Sequence, residues 1–343
     1  ISFRAQTDVI PGFMFIPPRD KHTSVLVEWT LQLLPERQVA ARESDPRIGY
    51  ATISFNDYDR NPNGVARVRQ IQRWNLEVRP EDTDRYNRGE LVEPANPIRV
   101  YLDRTLSSAA ERRAVSRAVA EWNACFEAAG FKNALQIQEG EPEAAMAYHQ
   151  LVFSYVMGRE VFSQVSDPRT GEILCGRIAL SNQELNDNLD LIAMSVGGYN
   201  PAFLTDSMPA VREEYIRYRM SNQTGLMLGL LPNLAASSAF TTSVTDGCAT
   251  NFAAQPGDGM TLSDLFAKAS LYDRWAIEWG YRQYPGMDTK AEKEALSRLA
   301  AKAKNEPTLF YAAATSGDYR VNATDSDKLD TDLGDNKLKT ATL

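Results

Sequence analysis

Histidine, the side chain that most readily binds metal or moves protons near neutral pH, occurs only at His22 and His149 among 343 residues. Neither has a second His or a Cys at ligand spacing, so a histidine-rich metal centre has no parts here. Cys125, Cys175 and Cys248 lie far apart with no CxxC pair, leaving one disulfide or three buried thiols as alternatives. There is no GxSxG nucleophile elbow and no glycine-rich loop to cradle phosphate. Asp325, Asp327, Asp330, Asp332 and Asp335 hint at calcium. Their spacing departs from the EF-hand loop and the closing Glu is missing, so the tail from about Asp318 reads as a solvated linker.

The stretch closest to a chemical motif is Arg219 to Ser238, RMSNQTGLMLGLLPNLAASS. In the pattern HExxHxxGxxH, two imidazoles four residues apart share a helix face and grip one metal ion. A glycine then turns the chain to deliver a third ligand, and the Glu takes a proton from metal-bound water. Placed in register on Gly225 and Gly229, the three ligand positions read Asn222, Leu226 and Pro232, and the general-base position reads Gln223. Leucine and proline offer no side-chain donor, an isolated amide holds zinc poorly, and a neutral Gln accepts no proton. The plainer alternative makes these four ordinary residues of a buried helix and its exit turn.

The same stretch resembles a family of large secreted zinc-dependent peptidases of Gram-negative bacteria, whose helix reads about HEVGHTLGLRHNFAAS. Gly225, Leu228, Gly229, Leu230, Asn233, Ala235, Ala236 and Ser237 match it. So do DPRIGY at Asp45 to Tyr50, WNACFEAAGFKNA at Trp122 to Ala134, DPRTGEIL at Asp167 to Leu174, and YDRWAIEWGY at Tyr272 to Tyr281. The family's Met-turn, about SVMDY, reads SVTDG, with Thr245 at the methionine position. The resemblance implies an α+β, zincin-like domain with a mixed twisted sheet and a long active-site helix, preceded by a β-rich segment. It implies zinc in active members and a secreted or periplasmic location. Here no cofactor is expected, because all three zinc histidines and the glutamate are replaced. The resemblance also makes Gly171 to Ser181, with Ile173, Leu174, Cys175 and Arg177, the edge strand beside the cleft. Such an edge pairs with an extended peptide through backbone hydrogen bonds, which survive the loss of a metal.

The elements that would position these residues follow from periodicity. Val25, Val27, Trp29, Leu31 and Leu33 alternate as a strand ended by Pro35, and Trp74, Leu76 and Val78 alternate before Pro80. Asn61 to Gly64 makes a turn, and the polar run Arg79 to Pro97 looks like a surface connection. IRVYLD from Ile98, Leu135 to Gln138 and Leu151 to Val156 read as strands. Ser108 and Glu111 form a capping box before a helix whose buried face carries Val115, Ala118, Trp122, Phe126 and Ala129, stopped at Gly130. The central helix is expected from just after Asp206 or Ser207 to about Leu231, and a later one over about Ser263 to Tyr281. The expected division is a β-rich segment over 1–95, a zincin-like domain over 96–285 and an extension over 286–343.

Composition sets outer limits. Forty-three per cent hydrophobic with 24% charged is ordinary globular content. A net charge of −8, with no clustered basic and aromatic patch, argues against a nucleic-acid surface. No run is long and apolar enough to span a membrane. The start at Ile1 suggests a processed form or an excised piece. The reading that results is a catalytically inactive peptidase homologue that binds an extended peptide or a protein partner in its former substrate cleft. The alternatives are an active zinc peptidase with ligands from elsewhere, such as His149 with Asp or Glu, and a structural or assembly domain of a longer secreted protein.

Overall fold

A computed structural model describes residues 2–9, 23–31, 33–34, 39–61, 63–142, 147–197, 208–236, 243–246 and 266–312. His22, Cys248 and the Asp-rich tail lie outside them. In chain order the strands are β1 (Ser2–Val9), β2 (Thr23–Thr30), β3 (Thr52–Asp57), β4 (Ala66–Ile71), β5 (Arg73–Trp74), β6 (Ile98–Leu102), β7 (Leu135–Ile137), β8 (Gln150–Val156), β9 (Val161–Ser166) and β10 (Glu172–Ser181). The helices are α1 (Thr83–Asn87), α2 (Ala109–Phe126), α3 (Asn182–Gly197), α4 (Met208–Met227), α5 (Leu271–Tyr281) and α6 (Thr289–Ala300).

The main sheet is six-stranded and mostly parallel. Strand β6 lies between β7 and β8, and β8 pairs in parallel with β10. The start of β10 meets β5, also in parallel, while β9 runs antiparallel along its other flank. Interior parallel strands are covered on both faces and therefore read as continuous apolar runs. QLVFSYV in β8 and EILCGRIALS in β10 are buried almost throughout. Antiparallel pairs β1–β2 and β3–β4 form separate two-stranded sheets, the second closing around the Asn61 to Gly64 turn.

Helix α2 forms as its sequence requires. The Ser108 hydroxyl accepts from the Glu111 amide, the Glu111 carboxylate returns to the Ser108 amide, and Gly130 leaves with φ of 88°. Its stripe of Val115, Ala118, Trp122, Phe126 and Ala129 is fully buried. The stripe meets α4, where the Trp122 indole donates 2.8 Å to the Ser221 carbonyl. Glu121 of α2 accepts from Arg217 at 2.8 Å and from the Ser221 hydroxyl at 2.9 Å, while Glu214 holds the other side of Arg217 at 2.9 Å. Arg217 is fully buried, so these carboxylates and the carbonyls of Phe266 and Ala267 replace its hydration shell.

Several elements differ from expectation. Helix α4 ends at Met227 rather than near Leu231, because Gly229 stops it before Pro232 has any part. Strand β5 is two residues long: Leu76 is buried, but Val78 makes only an isolated bridge to Pro94. The run Arg79 to Pro97 is more than a surface connection, since α1 buries Tyr86 and Val92 is buried beyond it. Helix α5 starts at Leu271, capped by Ser270 with Asp273. The expected boundaries at 95 and 285 fall within one buried cluster, which runs from Ile48, Tyr50, Ile71 and Trp74 through α2, α4 and α5 to Leu296, Leu299 and Leu309.

Candidate functional site

The glycine turn at the end of α4 fixes the geometry of the site. Gly229 has φ of 92°, its amide donates to Leu226 O at 3.0 Å, and the Leu230 amide donates to Gly225 O at 3.1 Å. This pair of bonds is a Schellman motif, which satisfies carbonyls that a helix end leaves open. The next two carbonyls are met from far along the chain: the Trp74 indole donates 2.8 Å to Met227 O and the Tyr281 hydroxyl donates 2.8 Å to Leu228 O. The exit strip then pairs with residues 49–51, as the Ala51 amide donates to Gly229 O at 2.8 Å and the Leu231 amide to Gly49 O at 2.9 Å. A Cβ at Gly229 would collide with the Gln72 carbonyl oxygen, so only glycine fits.

The four motif positions lie around this frame. Asn222 is buried and its amide nitrogen donates 2.9 Å to Val244 O. Gln223 is half-buried, and its amide reaches Asn222 Oδ1 at 3.4 Å. Leu226 is half-buried, and Pro232 is exposed beyond the turn. Thr245 is buried beneath the helix, where a Cβ added at Gly225 would crowd the Thr245 methyl and the Trp122 ring. Zinc does not fit this donor set. Two of the three ligand positions carry no donor, and the Asn222 side chain already bonds to the 243–246 turn. Among the described residues no three His, Cys, Asp or Glu side chains are grouped to hold a metal.

His149 offers no substitute ligand. It is buried with φ of 60°, Nδ1 lies 3.1 Å from Pro97 O, and Nε2 lies 3.1 Å from Asn75 O. Burial lowers its pKa to about 4, against the pull of the two carbonyls, and Arg99 adds to the lowering. Cys125 and Cys175 are buried free thiols, and burial lifts the pKa of Cys175 to about 11.

The edge assigned to Ile173, Leu174, Cys175 and Arg177 is corrected by the pairing. β10 is an interior strand, and the DPRTG turn is the hairpin that lays β9 over its outer flank. Ile173, Leu174 and Cys175 are buried, and Arg177 reaches the Ser154 hydroxyl on β8 at 3.4 Å. Sequence reasoning read a strand over Gly171 to Ser181 and none over Val161 to Ser166, because VFSQVS gives a weaker strand signal than EILCGRIALS, and the resemblance then placed the edge at β10. Among the described residues nothing pairs with the free side of β9.

Beside the start of β9, a cavity of about 300 Å³ is lined by Arg159, Glu160, Phe162, Leu180, Glu184 and Gln223, among others. It brings Gln223 of α4 to the edge strand. Arg219 spans the same gap, donating 2.5 Å to Glu160, and so ties α4 to the β8–β9 turn. Burial raises the Glu160 carboxyl pKa, Arg219 opposes this, and Glu184 adds to it. The sequence reading gave no role to Glu160, Glu184 or Asn233. Asn233 alone carried a signal, as part of the matched phrase: its side chain donates 3.0 Å to Phe310 O and accepts 3.1 Å from the Ala312 amide.

Residues 205–343 match the family described as Met-zincin, and residues 2–79 match one described as a domain of unknown function (DUF5117). No curated protein and no solved structure matches the chain. Helix α4, its glycine turn and the 243–246 turn all lie within the first match, which supports a zincin-like, metallopeptidase-type domain in this part of the chain.

Proposed function

We propose that the chain is a catalytically inactive metallopeptidase homologue whose cleft holds an extended peptide or a segment of a protein partner, without zinc. The observation that carries this reading is the pairing of an open strand edge with an unreactive amide: β9 exposes its free side next to a cavity whose helix wall is Gln223. VFSQVS carries no charge and no proline, the devices that usually guard an edge, and Val161, Phe162 and Val165 are exposed. Backbone hydrogen bonds along such an edge hold a peptide whatever its sequence, and the cavity adds a seat for one side chain. Nothing in this binding needs a metal or a base. By the family resemblance we also place the protein outside the cytoplasm, to be checked by cell fractionation.

The test joins metal content, cleavage of fluorescent casein with zinc supplied, and fluorescence polarisation with a library of unfolded peptides. The reading expects no stoichiometric zinc, no cleavage, and saturable peptide binding that Phe162→Asp weakens at least tenfold. Zinc near one per chain together with chelator-sensitive cleavage overturns it, as does a library from which nothing binds. An assembly role in a longer protein is the second reading. The two-stranded sheet β3–β4 favours it, since β4 packs into the core through Val68 and Ile71 while β3 leaves Phe55 exposed for a neighbouring part to cover.

A further inference from the structure

The residues of β9 follow a pattern that its own copy can complete. The strand reads Val161, Phe162, Ser163, Gln164, Val165, Ser166, and it pairs with β10 without a break from Val161 to Val165. Gln164 lies opposite Gly176, where a Cβ would strike Met227 of α4, so Phe162 and Gln164 share the face toward that helix. Val161, Ser163 and Val165 share the other face, and all three are exposed. No residue of the strand is charged. The charges that flank it are already engaged within the chain, as Glu160 accepts from Arg219 and Asp167 accepts from Arg169 at 2.6 Å.

When a strand pairs antiparallel with its own copy about a twofold axis normal to the sheet, like faces stay together, and each residue meets one equally far beyond the axis. Centred on Ser163, this pairing sets Val161 against Val165 of the second copy, and Val165 against its Val161. Exposed valines then cover one another on one face, while Phe162 meets Gln164 of the second copy on the other. Moving the axis to Phe162 or Gln164 would set valine against serine, so the pattern selects one register. A charge at the axis would meet its own image, and the strand has none.

We propose that β9 pairs with β9 of a second copy of this chain, antiparallel about Ser163, joining the two main sheets into one. The inference rests on the open edge of the peptide-binding reading and names one partner for it, the chain itself. Backbone bonds between the two edges supply the attraction, and the valine pairs fix the register. Strands of six residues bury far less than the roughly 1,200 Å² at which stable interfaces begin. The pair is therefore weak, forms only as concentration rises, and gives way to a peptide that takes the same edge.

The test is a disulfide at the axis. Ser163→Cys under a mild oxidant should give a covalent dimer, because directly opposed Cβ atoms lie about 4.5–5.5 Å apart, with the intact chain under the same oxidant as reference. Val165→Cys should not, since in this register its own copy lies beyond disulfide reach. Sedimentation of the intact chain over a dilution series should show monomer and dimer in exchange, and Ser163→Lys, which sets two ammonium groups face to face, should raise the dissociation constant at least about tenfold. A chain that stays monomeric at every concentration overturns the proposal. So does a cross-link at 165 in place of 163, or a dimer that Ser163→Lys or a bound peptide leaves intact. Peptide polarisation, read separately, distinguishes the two readings: peptide binding by a strictly monomeric chain removes the second copy and keeps the peptide, while dimerisation by a chain that binds no peptide does the reverse. Should Ser163→Cys fail to fold, sedimentation of the intact chain and of Ser163→Lys decides.

Discussion

Along α4 and its exit, the residues that shape the chain and the residues at which a zincin would do chemistry stand under different constraints. Gly229 must be glycine because its φ and the Gln72 carbonyl exclude every other residue, and Gly225 because Trp122 and Thr245 press against it. Asn222, Gln223, Leu226 and Pro232 meet no such demand. Asn222 has found a hydrogen bond to Val244, Gln223 faces a cavity, and Pro232 faces solvent. The geometry of the helix end is therefore set by contacts to Trp74, Tyr281 and residues 49–51 rather than by the side chains at the four motif positions.

The contrast can be broken most sharply at Gly229. Gly229→Ala should destabilise the fold by roughly 3–5 kcal/mol in urea unfolding, combining left-handed strain with a backbone collision. A stable, fully folded variant would mean that the turn does not set the helix end. The only histidine among the described residues, His149, belongs with the scaffold, and a pH titration of stability is expected to show it. Its lowered pKa leaves it neutral in the fold while the unfolded chain is protonated, so stability is lost as pH falls from about 6.5 to about 4, by up to roughly 3 kcal/mol. A His149→Gln variant should flatten that acid limb; an unchanged limb would assign the loss to other groups. Gly225→Ala should cost about 2 kcal/mol by overpacking against Trp122 and Thr245. Asn222→Ala should cost about 1 kcal/mol through its one bond to Val244. Pro232→Ala, at an exposed position, should stay within about 0.5 kcal/mol. If the last two matched Gly229→Ala in effect, the separation of frame from chemistry would fail.

Local signals in the sequence were enough for much of the frame. The Ser108 and Glu111 capping box, the α2 stripe and Gly130 are short-range devices, and each appears where the spacing puts it. Gly229 fixed the register of the motif, but the helix was expected to run through it to about Leu231, because its end depends on a pair of hydrogen bonds that no periodicity reveals. Pairing order was hidden because a strand's neighbours are not written in its own residues: β10 looked like an edge until β9 was seen against it. The burial of Tyr86 within a polar run and the place of Asp273 under the 243–246 turn are likewise contacts across long separations, α1 with the 129 carbonyl and α5 with Ser243.

The caps on α4 also bear on how the molecule is made. Trp74 reaches Met227 across 153 positions of sequence and Tyr281 returns to Leu228 across 53, so the exit of the helix is assembled from three remote parts of the chain. Closing contacts this distant is slow, because the chain loses entropy before any contact rewards it. During synthesis α4 emerges with the residues that cap Met227 already made and those that cap Leu228 still to come. The helix end should therefore lock only after α5 has left the ribosome, making it a late event in folding. Residues within the DUF5117 match and within the Met-zincin match contribute to the same buried cluster, so they are expected to set together, which hydrogen exchange during refolding would check.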